Sequence, residues 1–150
     1  MQRRFASGLL NKRIADRIMT VELNAPPVNL LTRPLLTEFA DTYNSIKPGG
    51  DVGAVVLTSA MPGIFTAGLD IMEIYQRSDE QIFEYWSMLQ ELWMALYACP
   101  VPVIAAINGT CPVKGSHICL LVAQITYLCA RLTFDTSASI QTPVHRHHRS

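Results

Sequence analysis

Two glycine-rich loops are the parts of this sequence best suited to chemistry. The first covers residues 63–70, GIFTAGLD, and the second covers residues 108–115, NGTCPVKG. Each is expected to leave the carboxyl end of a parallel strand, where ligands gather in α/β proteins and backbone N–H groups can hold an oxyanion or a phosphate. Two such loops could polarise one carbonyl group from both sides. Neither contains a P-loop, a G-x-G-x-x-G or a G-x-S-x-G motif, so the spacing also fits two ordinary tight turns.

The cysteines and histidines predict neither a disulfide framework nor a metal site. No two cysteines have the two-residue spacing of a redox or zinc motif, which favours reduced thiols packed as small hydrophobic side chains. Three of the histidines belong to the terminal VHRHHRS, and no acidic residue follows Asp135 to complete a metal site. The cysteines are Cys99, Cys111, Cys119 and Cys129, and the histidines are His117, His145, His147 and His148.

The composition indicates a single folded domain. A length of 150 residues fits one domain, and 49% hydrophobic with 16% charged residues excludes global disorder. Twelve Lys and Arg balance twelve Asp and Glu, so nothing in the total charge favours nucleic acid as a partner. The apolar run at residues 118–132 is interrupted by Gln124, Thr126 and Arg131 and is shorter than the ~20 residues that span a bilayer. It predicts buried core and no membrane span.

The first 17 residues differ in charge from the rest of the chain. They contain five basic residues, and their single acid is Asp16. Together with the serine at position 7, this is the composition of a mitochondrial transit segment or its remnant. A solvated tail without a targeting role is the alternative.

Apolar periodicity and turn residues predict strands that alternate with helices, which is typical of crossover units in a mostly parallel α/β sheet. Thr32 and Pro34 mark the start of the first helix, and Ser78 with Gln81 fits a capping box at the start of the second. The apolar residues at helical spacing, which are expected to face the core, are Leu35, Leu36, Phe39, Tyr43 and Ile46 in the first helix and Ile82, Tyr85, Trp86, Leu89, Leu92, Trp93 and Leu96 in the second. Residues 136–150 have no period and are expected to be unpacked. The predicted strands cover residues 17–23, 52–58, 101–107 and 125–134, and the predicted helices cover about residues 32–46, 78–98 and 116–124.

Four segments resemble the enoyl-CoA hydratase/isomerase (crotonase) superfamily. They are PPVN at 26–29, GIFTAGLDIMEI at 63–74, YWSMLQELWMALY at 85–97 and PVIAAINGTCP at 102–112. The resemblance covers about residues 18–113, is strongest to the mitochondrial delta(3),delta(2)-enoyl-CoA isomerase branch, and fades after Pro112 as expected of a truncated or frame-altered product.

The resemblance implies a division of the chain into three parts. Residues 1–17 would be a transit-peptide remnant that directs the protein to the mitochondrial matrix. Residues 18–134 would form a partial crotonase-like domain, a ββα spiral that is truncated, and residues 135–150 would form a divergent, unstructured tail. Members of the family assemble as trimers or dimers of trimers, so a homo- or hetero-trimer is expected.

The resemblance also implies a substrate and the residues that contact it. The family acts on acyl-CoA thioesters without a further cofactor, and two backbone N–H groups hold the thioester oxygen. By position, the first donor is the N–H of Leu69 and the second falls on Lys114. The residues that would line the acyl-CoA are Ala67, Gly68, Leu69, Asp70 and Ile71.

Two departures from the family pattern bear on activity. Lys114 stands where the family has glycine, and a side chain there would obstruct the close approach of the thioester. Isomerases of the family move a proton from C2 to C4 with one glutamate in a later loop, but no glutamate follows Glu91. His117 lies near the position of a hydratase's first glutamate, and Asp135 is the one later carboxylate; neither is assigned as the base.

The sequence therefore predicts an impaired enoyl-CoA isomerase, related to enzymes that shift 3-enoyl-CoA to 2-trans-enoyl-CoA in fatty acid beta-oxidation. A non-catalytic acyl-CoA-binding protein, or an interaction partner of the full-length isomerase, is the alternative. A hydratase of the same fold is disfavoured because both glutamates would be missing. A flavodoxin-like nucleotide binder fits the order of strands and helices, but its phosphate motif is absent.

Overall fold

The computed structural model describes the backbone of residues 3–111 and the side chains of residues 8–111. The helix predicted at 116–124, the strand at 125–134 and the tail at 135–150 lie outside these residues. The strands are β1 (Arg3–Ser7), β2 (Leu10–Ala15), β3 (Ile18–Leu23), β4 (Leu30–Leu31), β5 (Ala54–Ser59), β6 (Gly63–Ile64), β7 (Gly68–Leu69), β8 (Val103–Ala105) and β9 (Gly109–Thr110), and the helices are α1 (Arg33–Asn44), a single 3-10 turn (Ile71–Glu73) and α2 (Asp79–Tyr97).

A five-stranded sheet with the order β1-β2-β3-β5-β8 forms the centre of the fold. β1, β2 and β3 are antiparallel to one another, whereas β3, β5 and β8 run parallel. α1 and α2 are the crossover helices between the parallel strands, because a parallel pair cannot be joined by a tight turn. The predicted α/β alternation is thus confirmed for the described residues.

The first two strands are a correction to the sequence analysis, which predicted no strand before Arg17. The turn from β2 to β3 consists of Asp16 (φ 49°) and Arg17 (φ 65°), the left-handed conformation of a two-residue hairpin turn. The sequence has no Asn-Gly or Asp-Gly pair at this position to indicate the turn. Leu10 pairs with Leu23 and is fully buried. Residues 10–15 are therefore part of the sheet, not a solvated tail, while a targeting role of residues 1–17 stays a prediction.

One face of the sheet carries the core. Alternate residues of β3 and β5 point to this face, including Val21 and Leu57, which are fully buried. α1 covers it with the residues that the helical spacing predicted, and the rings of Phe39 and Tyr43 pack with centroids 5.3 Å apart. Burying each large side chain of this kind contributes roughly 1.5–3 kcal/mol. The core thus holds α1 and the strand ends in a fixed relation.

α2 begins with the predicted capping box. The Ser78 Oγ accepts a hydrogen bond from Gln81 N (3.3 Å), and the Gln81 Oε1 accepts one from Ser78 N (3.2 Å). Tyr85 and Leu89 are buried as predicted, but Trp86 is 41% exposed, because it lies at the margin of the apolar face. Among residues 3–111, no helix is long and apolar enough to cross a membrane. Cys99 and Cys111 form no disulfide within this part of the chain.

Candidate functional site

The two glycine-rich loops meet through a short parallel strand pair. β6 pairs with β9, with Gly63 opposite Gly109 and Ile64 opposite Thr110. Phe65 N extends the pairing by donating to the carbonyl oxygen of Thr110 (3.0 Å). The expectation that each loop follows the carboxyl end of a parallel strand is confirmed for β5 and β8 as far as Cys111, while residues 112–115 lie outside the described part.

Gly109 permits this meeting because it has no side chain. A Cβ at this position would contact the backbone N of Ile64 and the carbonyl C of Gly63, and would lie 2.7 Å from the carbonyl O of Gly63. Backbone atoms cannot swing away as a flexible side chain can. Glycine is thus required at position 109 for the two loops to approach each other.

A buried asparagine holds the start of the first loop. Asn29 is 0% exposed, and its Nδ2 donates to Ser59 Oγ and to the carbonyl oxygen of Phe65, both at 2.9 Å. Its Oδ1 accepts from Ala25 N at 2.7 Å. The backbone of Asn29 has φ 52°, a left-handed conformation that asparagine tolerates better than most residues. One side chain thereby joins the loop before α1, the end of β5 and the glycine-rich loop.

Thr66 continues this network into the loop itself. It is 0% exposed, and its Oγ1 donates to the carbonyl oxygen of Asn29 (2.6 Å) and accepts from Gly68 N (3.0 Å). Ser59 Oγ donates to the carbonyl oxygen of Ile64 (2.7 Å). No role was predicted from the sequence for Asn29, Ser59 or Thr66. The available signal was their polar character at the edges of apolar runs, since buried polar groups must find partners.

The predicted acyl-CoA residues form one continuous strip after this network. Gly68 is buried, Ala67, Leu69 and Asp70 are half-buried, and Ile71 is 65% exposed. Gly68 and Leu69 form β7, which pairs with β4. Asp70 Oδ1 accepts from the backbone N of residue 72 (2.9 Å) and so caps the 3-10 turn. Lys114, the predicted second donor, lies outside the described residues, as do His117 and Asp135.

The backbone N–H groups around Leu69 have protein acceptors. Ala67 N donates to the carbonyl oxygen of Val28 (2.9 Å), and Gly68 N donates to Thr66 Oγ1. Asp70 N donates to the hydroxyl of Tyr85 (3.3 Å). These contacts fix the peptides on both sides of Leu69.

α2 supplies the contacts at the end of the loop. Tyr85 Oη donates to the carbonyl oxygen of Leu31 (2.7 Å), and burial raises the pKa of Tyr85 to about 12, so the hydroxyl keeps its proton at neutral pH. Arg33 joins the 3-10 turn to α2, with Nε 2.9 Å from Glu73 Oε2 and Nη1 3.1 Å from Glu84 Oε2. The hydrogen bond that Arg33 donates to the Glu73 carboxylate raises the pKa of Arg33. Its guanidinium carbon lies 6.0 Å from the centre of the Tyr85 ring.

The chemistry of this site is based on backbone groups and apolar side chains. Between residues 8 and 111, no three His, Cys, Asp or Glu side chains are grouped as metal ligands. Asp70, the carboxylate within the strip, is turned towards the backbone of the 3-10 turn. Such a strip can orient a carbonyl group and contact an acyl chain.

Comparison with known proteins gives consistent matches. The enoyl-CoA hydratase/isomerase family matches residues 13–139. Mitochondrial enoyl-CoA delta isomerase 1 of Rattus norvegicus is 39% identical over 137 residues, which are 90% of this chain and 45% of the relative. The protein of the same name from Homo sapiens is 36% identical over 120 residues, 79% of this chain and 40% of the relative.

A solved structure shows the same likeness in three dimensions. The crystal structure of human mitochondrial delta3-delta2-enoyl-CoA isomerase has a TM-score of 0.69 and 34% sequence identity, and the match covers 79% of this chain and 45% of that chain. The chain therefore spans less than half the length of the relatives that it matches.

Proposed function

This chain belongs to the enoyl-CoA hydratase/isomerase family, and from that premise we propose that residues 67–71 bind the thioester end of an acyl-CoA in an isomerase-type site. The observation that carries the proposal is the pairing of β6 with β9, because it brings the backbones of both glycine-rich loops together. Donors that are fixed before the ligand arrives stabilise an oxyanion without reorganisation, and the hydrogen bonds of Asn29 and Thr66 supply that rigidity.

Leu69 donates its backbone N–H to the thioester oxygen, and the peptide of Lys114 provides the second donor. The N–H groups of Ala67, Gly68 and Asp70 donate to protein acceptors, so the peptides that flank the Leu69 N–H are held in place before a ligand arrives. The exposed side chain of Ile71 contacts the acyl-CoA. Because Lys114 replaces glycine, the second donor is displaced and binding is weak.

We propose that residues 1–150 on their own give negligible turnover. The reaction needs one base that reaches both C2 and C4, and residues 92–150 contain no glutamate. Loss of a positioned acid/base removes ~10²–10⁴ in rate, and a misplaced oxyanion donor removes a further ~10²–10³. Together the two losses bring the reaction to background.

The most similar relatives support a proposal on the cellular setting. The relatives named above are mitochondrial, and the basic composition of residues 1–17 fits import. We place the protein in the mitochondrial matrix, in fatty acid beta-oxidation, in a homo- or hetero-trimer.

Calorimetric titration of the full chain with a medium-chain 3-enoyl-CoA tests the binding step, with free CoA as the ligand control. We expect saturable binding in the micromolar range. Leu69→Met keeps the N–H and leaves the affinity unchanged, whereas Leu69→Pro removes the donor and abolishes binding. Lys114→Gly strengthens binding. Equal affinities for the Met and Pro variants, with matching circular dichroism spectra, would show that the Leu69 N–H is not the donor.

Conversion of a 3-enoyl-CoA to the 2-trans product tests the prediction on turnover, with the absorbance of the conjugated thioester as the signal. Protein purified from a host that lacks its own isomerase is expected to give no rate above buffer. A rate that is abolished by His117→Ala or Asp135→Asn would overturn the assignment of negligible turnover and identify the base.

A further inference from the structure

Tyr85 has a hydroxyl group that packing alone does not require. Its side chain is 0% exposed, so a phenylalanine ring would fill the same space in the core. The hydroxyl instead joins two segments that are distant in sequence, by donating to Leu31 O (2.7 Å) and accepting from Asp70 N (3.3 Å). A buried hydroxyl that serves two backbone groups fixes their relative position, because either group loses a partner when they separate.

The two segments that it joins are β4 and the end of β7. These strands pair over two residues each, with Leu30 opposite Gly68 and Leu31 opposite Leu69. So short a pair has few ladder hydrogen bonds of its own, and β7 is followed at once by Asp70 and the 3-10 turn. The hydroxyl therefore cross-links the pair at the point where the ladder stops.

The Leu69 N–H belongs to the peptide that joins Gly68 to Leu69, and the peptides on either side of it are both constrained. Thr66 Oγ1 constrains the preceding peptide by accepting from Gly68 N, and Tyr85 Oη constrains the following peptide by accepting from Asp70 N. The direction of the Leu69 N–H depends on both constraints, because the torsions between these peptides set it.

We propose that Tyr85 is a positioning residue for the acyl-CoA site: its hydroxyl, held between Leu31 O and Asp70 N, sets the direction of the Leu69 N–H. The inference rests on the proposed function in assigning the ligand to Leu69. The contact with Asp70 is independent of any ligand. Loss of the hydroxyl weakens acyl-CoA binding while the fold persists.

The chain offers a matched control in Tyr43. It is a second buried tyrosine, 1% exposed, and its hydroxyl has no hydrogen-bond partner among the described residues. Tyr43→Phe and Tyr85→Phe delete the same atom from the core, but only the second deletion removes contacts to the glycine-rich loop. A difference between the two variants therefore reports on the position of the hydroxyl.

The test combines calorimetric titration with a medium-chain 3-enoyl-CoA, urea unfolding, and amide hydrogen exchange measured by NMR in full chains without ligand. For Tyr85→Phe we expect roughly three- to tenfold weaker binding and faster exchange of the Leu69 and Asp70 amides. For Tyr43→Phe both quantities should match the unsubstituted chain. The urea midpoints show whether each variant is folded under the conditions of the binding and exchange measurements.

The outcomes separate this inference from the proposed function. If the unsubstituted chain does not bind 3-enoyl-CoA, the proposed function fails, and exchange at Leu69 and Asp70 still decides whether Tyr85 positions the loop. Exchange that is equal in the two variants would overturn the positioning role. Equal affinity in a chain that does bind 3-enoyl-CoA would overturn it as well, and a lower urea midpoint with unchanged affinity would show a purely structural hydroxyl.

Discussion

The loop at residues 63–70 is held differently at its two ends. At its start, Asn29, Ser59 and Thr66 are buried and uncharged, and each of them bonds to the backbone. Beyond its end, the 3-10 turn is tied to the helices by Arg33 and two glutamates that are partly exposed to solvent. The groups that fix the start are buried, so water cannot replace a hydrogen-bond partner that they lose. The groups that fix the far end are in contact with solvent, so water can replace such a partner.

This difference has a physical consequence. A buried polar group that loses its partner costs about 1–3 kcal/mol, whereas an exposed ion pair contributes about 0–1 kcal/mol and is weakened by salt. The start of the loop should therefore behave as part of the core, and the end as an adjustable attachment. Tyr85 lies between these extremes, since it is buried but contacts the end of the loop.

The largest effect is expected at Asn29. Asn29→Ala removes three hydrogen bonds of the side chain and leaves a left-handed backbone that alanine tolerates poorly, so the free energy of unfolding should fall by about 3 kcal/mol or more. Asn29→Gly loses the same bonds without the backbone strain and should lose less. Urea unfolding measures both, with exposed Asn44→Ala as the control. A loss at Asn29 no larger than at Asn44 would contradict the account.

The next effect tests the close approach of the two loops. Gly109→Ala forces a Cβ against the backbone of Gly63 and Ile64. We expect the free energy of unfolding to fall by about 1–3 kcal/mol, because moving either backbone disturbs the strand pair. Gly53→Ala is the matched control, since its Cβ would lie 3.4 Å from the nearest atom, Arg17 Nε, an ordinary contact. The same urea experiment compares the two variants, and similar losses would show that the β6–β9 pairing does not need glycine.

A smaller effect is expected from a single hydroxyl at the start of the loop. Thr66→Val keeps the shape of the side chain but leaves Gly68 N and the carbonyl oxygen of Asn29 without this partner, for a loss of about 1–2 kcal/mol. Thr66→Ser keeps the hydroxyl and should be closer to the original stability. If Ser and Val are equally destabilising in urea, the methyl group and not the hydroxyl holds the loop.

The smallest effect is expected at the charged end. Glu73→Gln weakens the pair with Arg33 at a partly exposed position, so its unfolding midpoint should shift less than those of Asn29→Ala, Gly109→Ala and Thr66→Val, and the shift should shrink further as salt is added. Glu84→Gln, at a more exposed carboxylate, should shift it less still. Thermal unfolding at low and high salt measures this. A loss at Glu73 as large as that at Asn29 would remove the distinction between the two ends.

The major elements of the described fold could be predicted because local patterns encode them. The capping box of Ser78 and Gln81 and the helical spacing of Leu35, Phe39 and Tyr43 depend on neighbours along the chain. The hairpin turn at Asp16 and Arg17 was missed because these residues adopt left-handed angles without a glycine between them. Such a turn is stabilised by the pairing of the two strands that it joins, and the local sequence does not show that pairing.

The two strand-end loops could be predicted from the sequence, but the contacts that support them could not. The glycines at 63, 68 and 109 indicated two strand-end loops, and β6 and β9 do bring those loops together. Tyr85 was predicted as one more residue on an apolar helix face, and its hydroxyl contacts could not be foreseen. They join residues that are 15 and 54 positions apart.

By itself the sequence determined the α/β alternation, the glycines that free the backbone to approach, and the family to which the chain belongs. These depend on side-chain types and short spacings, which are preserved in the order of residues. Only the tertiary structure decided that Asn29, Thr66 and Tyr85 hold the peptides around Leu69, because a buried polar group chooses its partner by proximity in space. The directions of these peptide groups are therefore fixed by long-range packing, whereas the local motif determines only that a loop is present.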